Sequence, residues 1–330
     1  MKHLLPRIAA TALLVAAAAS SAATLKMSHV RPQGATIDTE LRAFADSVKQ
    51  ATGGRVNIGI FPASALGDYT TVQERVSVGA IDMATQPAAT AADRRMQISS
   101  FPYLANSWQD ARKIYGPNGP VRNVMSELYA KQQISMLAAY PVYFGGIALN
   151  RQPVNPGDVS KSNGIKVRVP GIKSFQLTGQ ALGYIPAPIP FSEAFTAIQT
   201  GVVDGVIGSG AEGYFASFRD VTKAYIPANT HFEVWYMIAS NQTMATISKA
   251  DQDVLKKAAN DFEAKRWQVA EEDQGKWEKR LASELGTNVV KLTDSQIAAM
   301  AAKVRKDVWP EVLKDVGADW GQGILKQIGQ

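Results

Sequence analysis

Cysteine is absent from this chain, which excludes disulfide bonds, a thiol nucleophile and a lipidated cysteine anchor together. Stability has to come from a large apolar core. Histidine is scarce too: the three imidazoles are His3, His29 and His231, and none stands in a His-Glu-x-x-His spacing that would gather a metal. No Gly-x-Gly-x-x-Gly follows a strand-like segment and no phosphate loop is present, so nucleotide binding has no motif to rest on. Past the N-terminus no run approaches the ~20 consecutive apolar residues of a membrane helix. A strong charge of one sign is also missing. The formal charge of +6 includes Lys2 and Arg7, and Lys276, Glu278, Lys279 and Arg280 show the interleaved signs of a solvated helix face. Such a balance gives no basis for nucleic acid as a partner, although a mild positive field steers small anions inward.

What is present begins with a leader. Lys2 and Arg7 precede an apolar run from Ile8 to Ala19, and Ser21, Ala22 and Ala23 offer small residues for cleavage. Residues 1–23 therefore read as a secretory signal peptide, and the mature protein as an exported one without direct membrane insertion. The remaining ~300 residues suit two domains, because single cores stop growing near 250 to 300 residues.

Leu25 to His29 reads as a first strand. Leu41, Phe44, Ala45 and Val48 follow at helical spacing until Gly53-Gly54, and Val56, Ile58 and Ile60 then alternate as in a strand. A strand–helix–strand opening implies an α/β fold with parallel strands. Further helices are expected near 71–78, 108–115 and 121–132, and strands near 81–85 and 134–140. Val78-Gly79-Ala80-Ile81-Asp82 is echoed by Thr200-Gly201-Val202-Val203-Asp204, each a place where glycine caps a helix before a buried strand; a duplicated lobe and a generic helix–Gly–strand joint both account for this. Ser248 with Asp251 starts a helix that runs to Leu281 or beyond, more than 30 residues, long enough to span both lobes. Thr293 to Gln296 opens another, and Trp309-Pro310 interrupts the helical pattern after it.

The segment richest in function runs from Lys166 to Gly208. Arg168 sits on a short β-prone stretch, and a guanidinium held by a strand grips a carboxylate through a planar fork while keeping its charge. A strand arginine paired with a surface acid fits the same stretch. Asp204 with Glu193 can be drawn as an acid–base pair. Glu193, however, falls in the first turn of a helix, where the dipole favours a carboxylate for structural reasons. A secreted hydrolase is thus the competing class, with little to carry it.

Leu25 to Val30, Phe61-Pro62-Ala63 with Leu66-Gly67, Gly79 to Met83, Phe101 to Leu104, Gly164 to Pro170, Pro188 to Ala197 and Thr200 to Gly205, in this order and spacing, resemble one family over the whole mature chain. It is the periplasmic solute-binding subunit of tripartite ATP-independent (TRAP) transporters, the DctP-like family. The resemblance implies a two-lobed α/β fold with hinge strands and a long lobe-spanning C-terminal helix. Lobe I would comprise residues 24–146 with about 234–273, and lobe II residues 147–233 with about 274–330. It further implies a binding protein rather than an enzyme, without cofactor or metal, that closes over a small organic carboxylate in the periplasm and passes it to membrane permease subunits.

By position, Arg168 matches the family arginine that pairs with the ligand carboxylate, and Phe191 an aromatic packed on the ligand. Two departures bear on specificity. A second arginine frequent in relatives is replaced around Gly145-Gly146, and a frequent asparagine falls at Gly208. Their loss implies a roomier pocket and a monocarboxylate, such as a sugar acid or aromatic acid, rather than a C4-dicarboxylate. The family arrangement also turns Glu212, Glu233, Trp235, Tyr69, Gln86 and His29 toward the cleft. Glu233 suits ligand contact or a hinge carboxylate, and Trp235 also suits an interlobe core. Some relatives place an acidic metal ligand at Glu233, but its acidic neighbour corresponds to Ile207, and one carboxylate does not make a cation site.

Overall fold

The structure, a computed structural model, describes residues 23–330; the leader, apart from Ala23, lies outside them. Two sheets form the frame. The first has the order β2-β1-β3-β10-β4, from β1 (Ala23–Ser28), β2 (Val56–Phe61), β3 (Met83–Gln86), β4 (Ile134–Phe144) and β10 (Phe232–Ser240). The second has the order β11-β9-β5-β8-β6-β7, from β5 (Gly146–Leu149), β6 (Lys166–Val169), β7 (Ile185–Pro188), β8 (Gly205–Ser209), β9 (Ala224–Ile226) and β11 (Asn288–Val289). Helices α1 (Thr36–Ala51), α2 (Tyr69–Ser77), α3 (Trp108–Tyr115), α4 (Pro120–Ala130) and α8 (Asn241–Thr246) accompany the first sheet, with a 3₁₀ helix at Arg94–Ser100. The second has α5 (Lys173–Ala181), α6 (Phe191–Gln199) and α7 (Ala211–Phe218). The C-terminal third is helical: α9 (Lys249–Leu285), α10 (Asp294–Asp307), α11 (Trp309–Val316) and α12 (Ala318–Gln327). Among these helices none is long and apolar enough to cross a membrane.

The parallel opening is present, with β1 flanked in parallel by β2 and β3. Each sheet also holds an antiparallel strand that the opening pattern does not announce: β10 against β3 and β4, and β5 against β8 and β9. The reason is topological. Parallel strands aim their carboxyl ends at the cleft, so a chain arriving from the other lobe enters at that end and runs against them. The two crossings, at Gly145 and at Thr230-His231, are tied together: Gly145 N–H donates to His231 O at 2.8 Å and Thr230 N–H to Gly145 O at 2.8 Å. The sequence echo also has a backbone counterpart. Gly79 joins α2 to β3 with φ +74° and Gly201 joins α6 to β8 with φ +75°, the left-handed conformation that glycine adopts without steric cost.

Helix α9 is 37 residues long, about 55 Å at 1.5 Å per residue. Ser248 Oγ accepts from Asp251 N–H at 3.1 Å at its start, and Gly286, with φ +65°, ends it. Leu255, Ala259, Glu263, Trp267 and Ala270 form its buried stripe. It packs on α1 and β4 of the first lobe and on α7 and β11 of the second, so it spans both as the sequence predicts. The capping box at Thr293 and Gln296 is formed, and α11 begins at Trp309-Pro310. The three helices beyond α9 do not stay with one lobe. While α10 contacts α5, α11 packs on the 3₁₀ helix and α12 on α4; Trp309 Nε1–H reaches Pro102 O at 2.8 Å. The C-terminal helices therefore bridge the lobes, and residues 274–330 are not a unit of the second alone.

Candidate ligand-binding site

The carboxyl ends of β1, β3, β6 and β8 face one another across the cleft, the place where open α/β sheets bind ligands. A cavity lies between them, lined by Val30, Arg31, Tyr69 and Pro87 from the first lobe, Arg168, Pro170, Phe175, Phe191 and Gly208 from the second, and His231, Glu233 and Trp235 at the crossing. The centre of a water molecule can range over about 50 Å³ of it. With a water's radius of about 1.4 Å added at the walls, that is space for a small organic molecule.

Arg168 is 2% exposed. Its Nε–H donates to Ile189 O at 2.8 Å, which fixes the plane of the guanidinium, and Phe191 lies 5.7 Å from its central carbon. Among the described residues no carboxylate pairs with it. Burial lowers its pKa from the ordinary guanidinium value, against the raising influence of Tyr69, Tyr214 and Asp68, yet an arginine keeps its proton. A buried cation without a counter-ion is costly, and an incoming anion removes that cost.

Arg31 is 1% exposed and was not singled out from the sequence. It projects from the turn after β1, where its Nη2 donates to Ser209 Oγ at 2.5 Å and to Glu233 Oε1 at 3.3 Å. Glu212 Oε2 lies 3.6 Å from its Nε. The guanidinium stacks between Phe191, at 5.3 Å, and Trp235, at 5.0 Å. Its partners belong to the other lobe and to the crossing strand, so Arg31 ties the cleft shut. An arginine just past the carboxyl end of the first parallel strand was the available signal.

Glu233 accepts from Ser209 Oγ at 3.0 Å, Trp235 Nε1–H at 3.0 Å and Gly210 N–H at 3.2 Å, besides Arg31. Burial raises its pKa above the ordinary carboxylate value, opposed by Arg31, Ser209 and Trp235. Of the other residues placed near the cleft from the sequence, Tyr69, Phe191, Gly208 and Trp235 line the cavity, whereas three stand behind its wall. His29 Nε2 faces Asp38 Oδ1 at 3.1 Å. Gln86 donates to Tyr69 O at 2.7 Å. Glu212 accepts from Thr36 N–H at 3.3 Å across the lobes.

At Gly145 and Gly146 the side chain that is missing leaves no room for ligand. A Cβ on Gly145 would overlap the His231 ring, and one on Gly146 would lie 2.5 Å from the Tyr225 ring and 2.6 Å from Ile226 O. At Gly208, with φ +132°, it would sit 3.1 Å from Pro170 and 3.4 Å from Arg168 Nη1. Gly145 and Gly146 admit neighbouring protein atoms rather than ligand, whereas Gly208 lines the cavity itself.

His231 itself is a neutral wall. Burial pushes its pKa down to about 3, and Thr230 Oγ1 lies 3.0 Å from Nδ1. The unfolded ring titrates near 6.5, so below that pH the unfolded chain binds a proton that the folded one refuses. The stability is therefore full above about pH 6.5 and is lost toward pH 3, at up to about 1.4 kcal/mol per pH unit. His29, lowered by burial against the pull of Asp38, acts in the same direction. We expect the melting temperature to fall between pH 7 and pH 4, and His231→Gln to flatten the decline; an unchanged slope in the variant would remove His231 as its source.

With this geometry in place, comparison with known proteins is decisive for the family. Residues 27–315 match the DctP family, bacterial extracellular solute-binding protein family 7. The chain belongs to that family. Solute-binding protein RD1_1052 of Roseobacter denitrificans is 28% identical over 253 residues, 74% of this chain and 76% of that protein. The structure of RD1_1052, a TRAP periplasmic solute-binding protein with bound L-galactonate, superposes with a TM-score of 0.79 at 20% identity, covering 93% of this chain and 98% of that one. DctP7 of Bordetella pertussis, a receptor binding pyroglutamic acid, superposes with a TM-score of 0.80 at 23% identity, covering 94% and 100%. The C4-dicarboxylate-binding periplasmic protein DctP of Rhodobacter capsulatus is 25% identical over 319 residues, 94% of each chain. At such identities the superpositions establish the two-lobed fold and leave the ligand to the chemistry of the site.

Proposed function

We propose that this DctP-family protein is an exported receptor that captures a small organic monocarboxylate between its lobes and delivers it to TRAP permease subunits in the membrane. The observation that carries the ligand class is Arg168: a buried guanidinium, held in plane by Ile189 O, with no carboxylate of the protein beside it. One anion neutralises it. The ligand carboxylate meets Arg168 on the second lobe, Phe191 packs against the ligand body, and closure brings Arg31 onto Ser209 and Glu233 while Asp68 accepts from Ser192 N–H at 3.3 Å. Water leaves the ion pair as the lobes meet, which strengthens it. The named ligands of RD1_1052 and DctP7 are both monocarboxylates that suit a cavity of this size. A C4-dicarboxylate, as in the name of the Rhodobacter relative, is the second reading. The leader supports export.

The test is a thermal-shift panel at matched ionic strength containing L-galactonate, D-galacturonate, pyroglutamate, orotate, succinate and malate. Binding raises the melting temperature through RT ln(1 + [L]/Kd). Stabilisation by one or more monocarboxylates is expected; stabilisation by succinate and malate alone overturns the monocarboxylate reading.

A further inference from the structure

The cavity contains a second arginine, and on its presence alone it resembles a dicarboxylate site. The charges around Arg31 say otherwise. Its guanidinium is flanked by two carboxylates, Glu233 at 3.3 Å and Glu212 at 3.6 Å, while Arg168 has none within ion-pair distance and feels Asp68 only from farther off. The two arginines meet at neighbouring residues of one strand: Arg168 Nη1 lies against Gly208 and Arg31 Nη2 on Ser209 Oγ. They also share Phe191. Side by side in one cavity, then, stand a cation with no carboxylate within ion-pair distance and a cation that the protein has already paired.

We infer that Glu233, paired with Arg31, is a specificity-determining residue that excludes a second carboxylate from the ligand and admits a neutral hydrogen-bond acceptor in its place. This rests on the assignment of Arg168 to the ligand carboxylate. Glu233 is 6% exposed and lines the cavity. Both its oxygens are occupied: Oε1 accepts from Arg31 and Trp235, and Oε2 from Ser209 and Gly210. Four donors aimed at one carboxyl group favour its charged form against the burial that raises its pKa, and they place that charge on the wall. A second ligand carboxylate brought beside it enters a dry site facing a like charge. A hydroxyl, carbonyl or amide oxygen meets no such opposition. Among the described residues, the hydrogen bonds of Arg31 to protein run from Nη2 and its buried Nε has no partner, so N–H groups of Arg31 remain for a neutral oxygen on the ligand body. The preferred ligand is therefore a short acid with one carboxylate for Arg168 and a neutral oxygen at the other end.

Succinate and succinamate have nearly the same shape and differ in one terminal charge, so they isolate the effect. Dissociation constants for both are measured by calorimetry at fixed ionic strength on the wild type, Glu233→Gln and Arg168→Met, with L-galactonate and galactarate as a second matched pair. In the wild type the monoanion of each binding pair is expected to bind at least tenfold more tightly than its dianion. Glu233→Gln is expected to shrink that ratio tenfold or more by strengthening the dianion. Equal binding in the wild type overturns the inference without recourse to a variant, as does a ratio unaffected by Glu233→Gln. Binding that survives Arg168→Met overturns the carboxylate assignment instead. Failure of all four compounds to bind the wild type counts against both.

Discussion

Arg168→Lys is expected to weaken the monocarboxylate that most stabilises the wild type by about 100-fold, close to 3 kcal/mol, although the charge is conserved. The reason lies in how Arg168 is held. Its Nε–H is committed to Ile189 O at 2.8 Å, which leaves the two terminal nitrogens as a planar fork facing the cavity. An ammonium offers rotating point donors in place of that fork, and satisfying Ile189 O would draw it away from the ligand. Removing one partner of a buried, hydrogen-bonded ion pair costs ~3 to 5 kcal/mol, and lysine recovers only part of it. Calorimetric titration of both proteins decides the point; a loss under tenfold, with an unchanged melting temperature of the free protein, means that another group holds the carboxylate.

The second large effect is on stability. Gly146→Ala is expected to cost about 3 kcal/mol or more, because the new methyl would meet Ile226 O at 2.6 Å and the Tyr225 ring at 2.5 Å. A backbone carbonyl paired within a sheet cannot give way, and overpacking a tight core costs about 1 to 3 kcal/mol even where side chains can move. A drop in melting temperature on the order of 10 °C follows for a chain of this size. Gly145→Arg, which would add a second cation at the crossing, is expected to destabilise at least as strongly, since its Cβ would overlap the His231 ring. It should confer no affinity for succinate. A folded Gly145→Arg protein that gains succinate binding would show that the crossing strands can rearrange, and would restore the reading of these glycines as open ligand space.

Glycine at these places illustrates what a one-dimensional reading misses. Gly145, Gly146 and Gly208 carry no side chain, and the missing volume suggests room. Whether that room belongs to the ligand or to the protein depends on what the rest of the chain brings to the same spot. His231 fills it at Gly145, Tyr225 at Gly146, and Pro170 with Arg168 at Gly208. His231 lies far from Gly145 along the chain, and no local pattern connects them. His29, too, reads from the sequence as a cleft residue but turns instead to Asp38, nine positions on.

Features that depend on local pattern were legible in the chain alone. Apolar periodicity set α1 and β2, and the Ser248–Asp251 cap set the start of α9. Arg168 was legible for a local reason as well, being an arginine on a short strand followed by Pro170, with Phe191 opening the helix beyond. How charges distant in sequence are shared was settled in three dimensions alone. Arg31 meets Glu233 across 202 residues and Ser209 across 178, and Arg168 meets no carboxylate among the described residues. In a buried site the strength and even the sign of a charge's effect depend on which other charges lie within a few ångströms. Topology brings those neighbours together, and the order of residues along the chain does not reveal them.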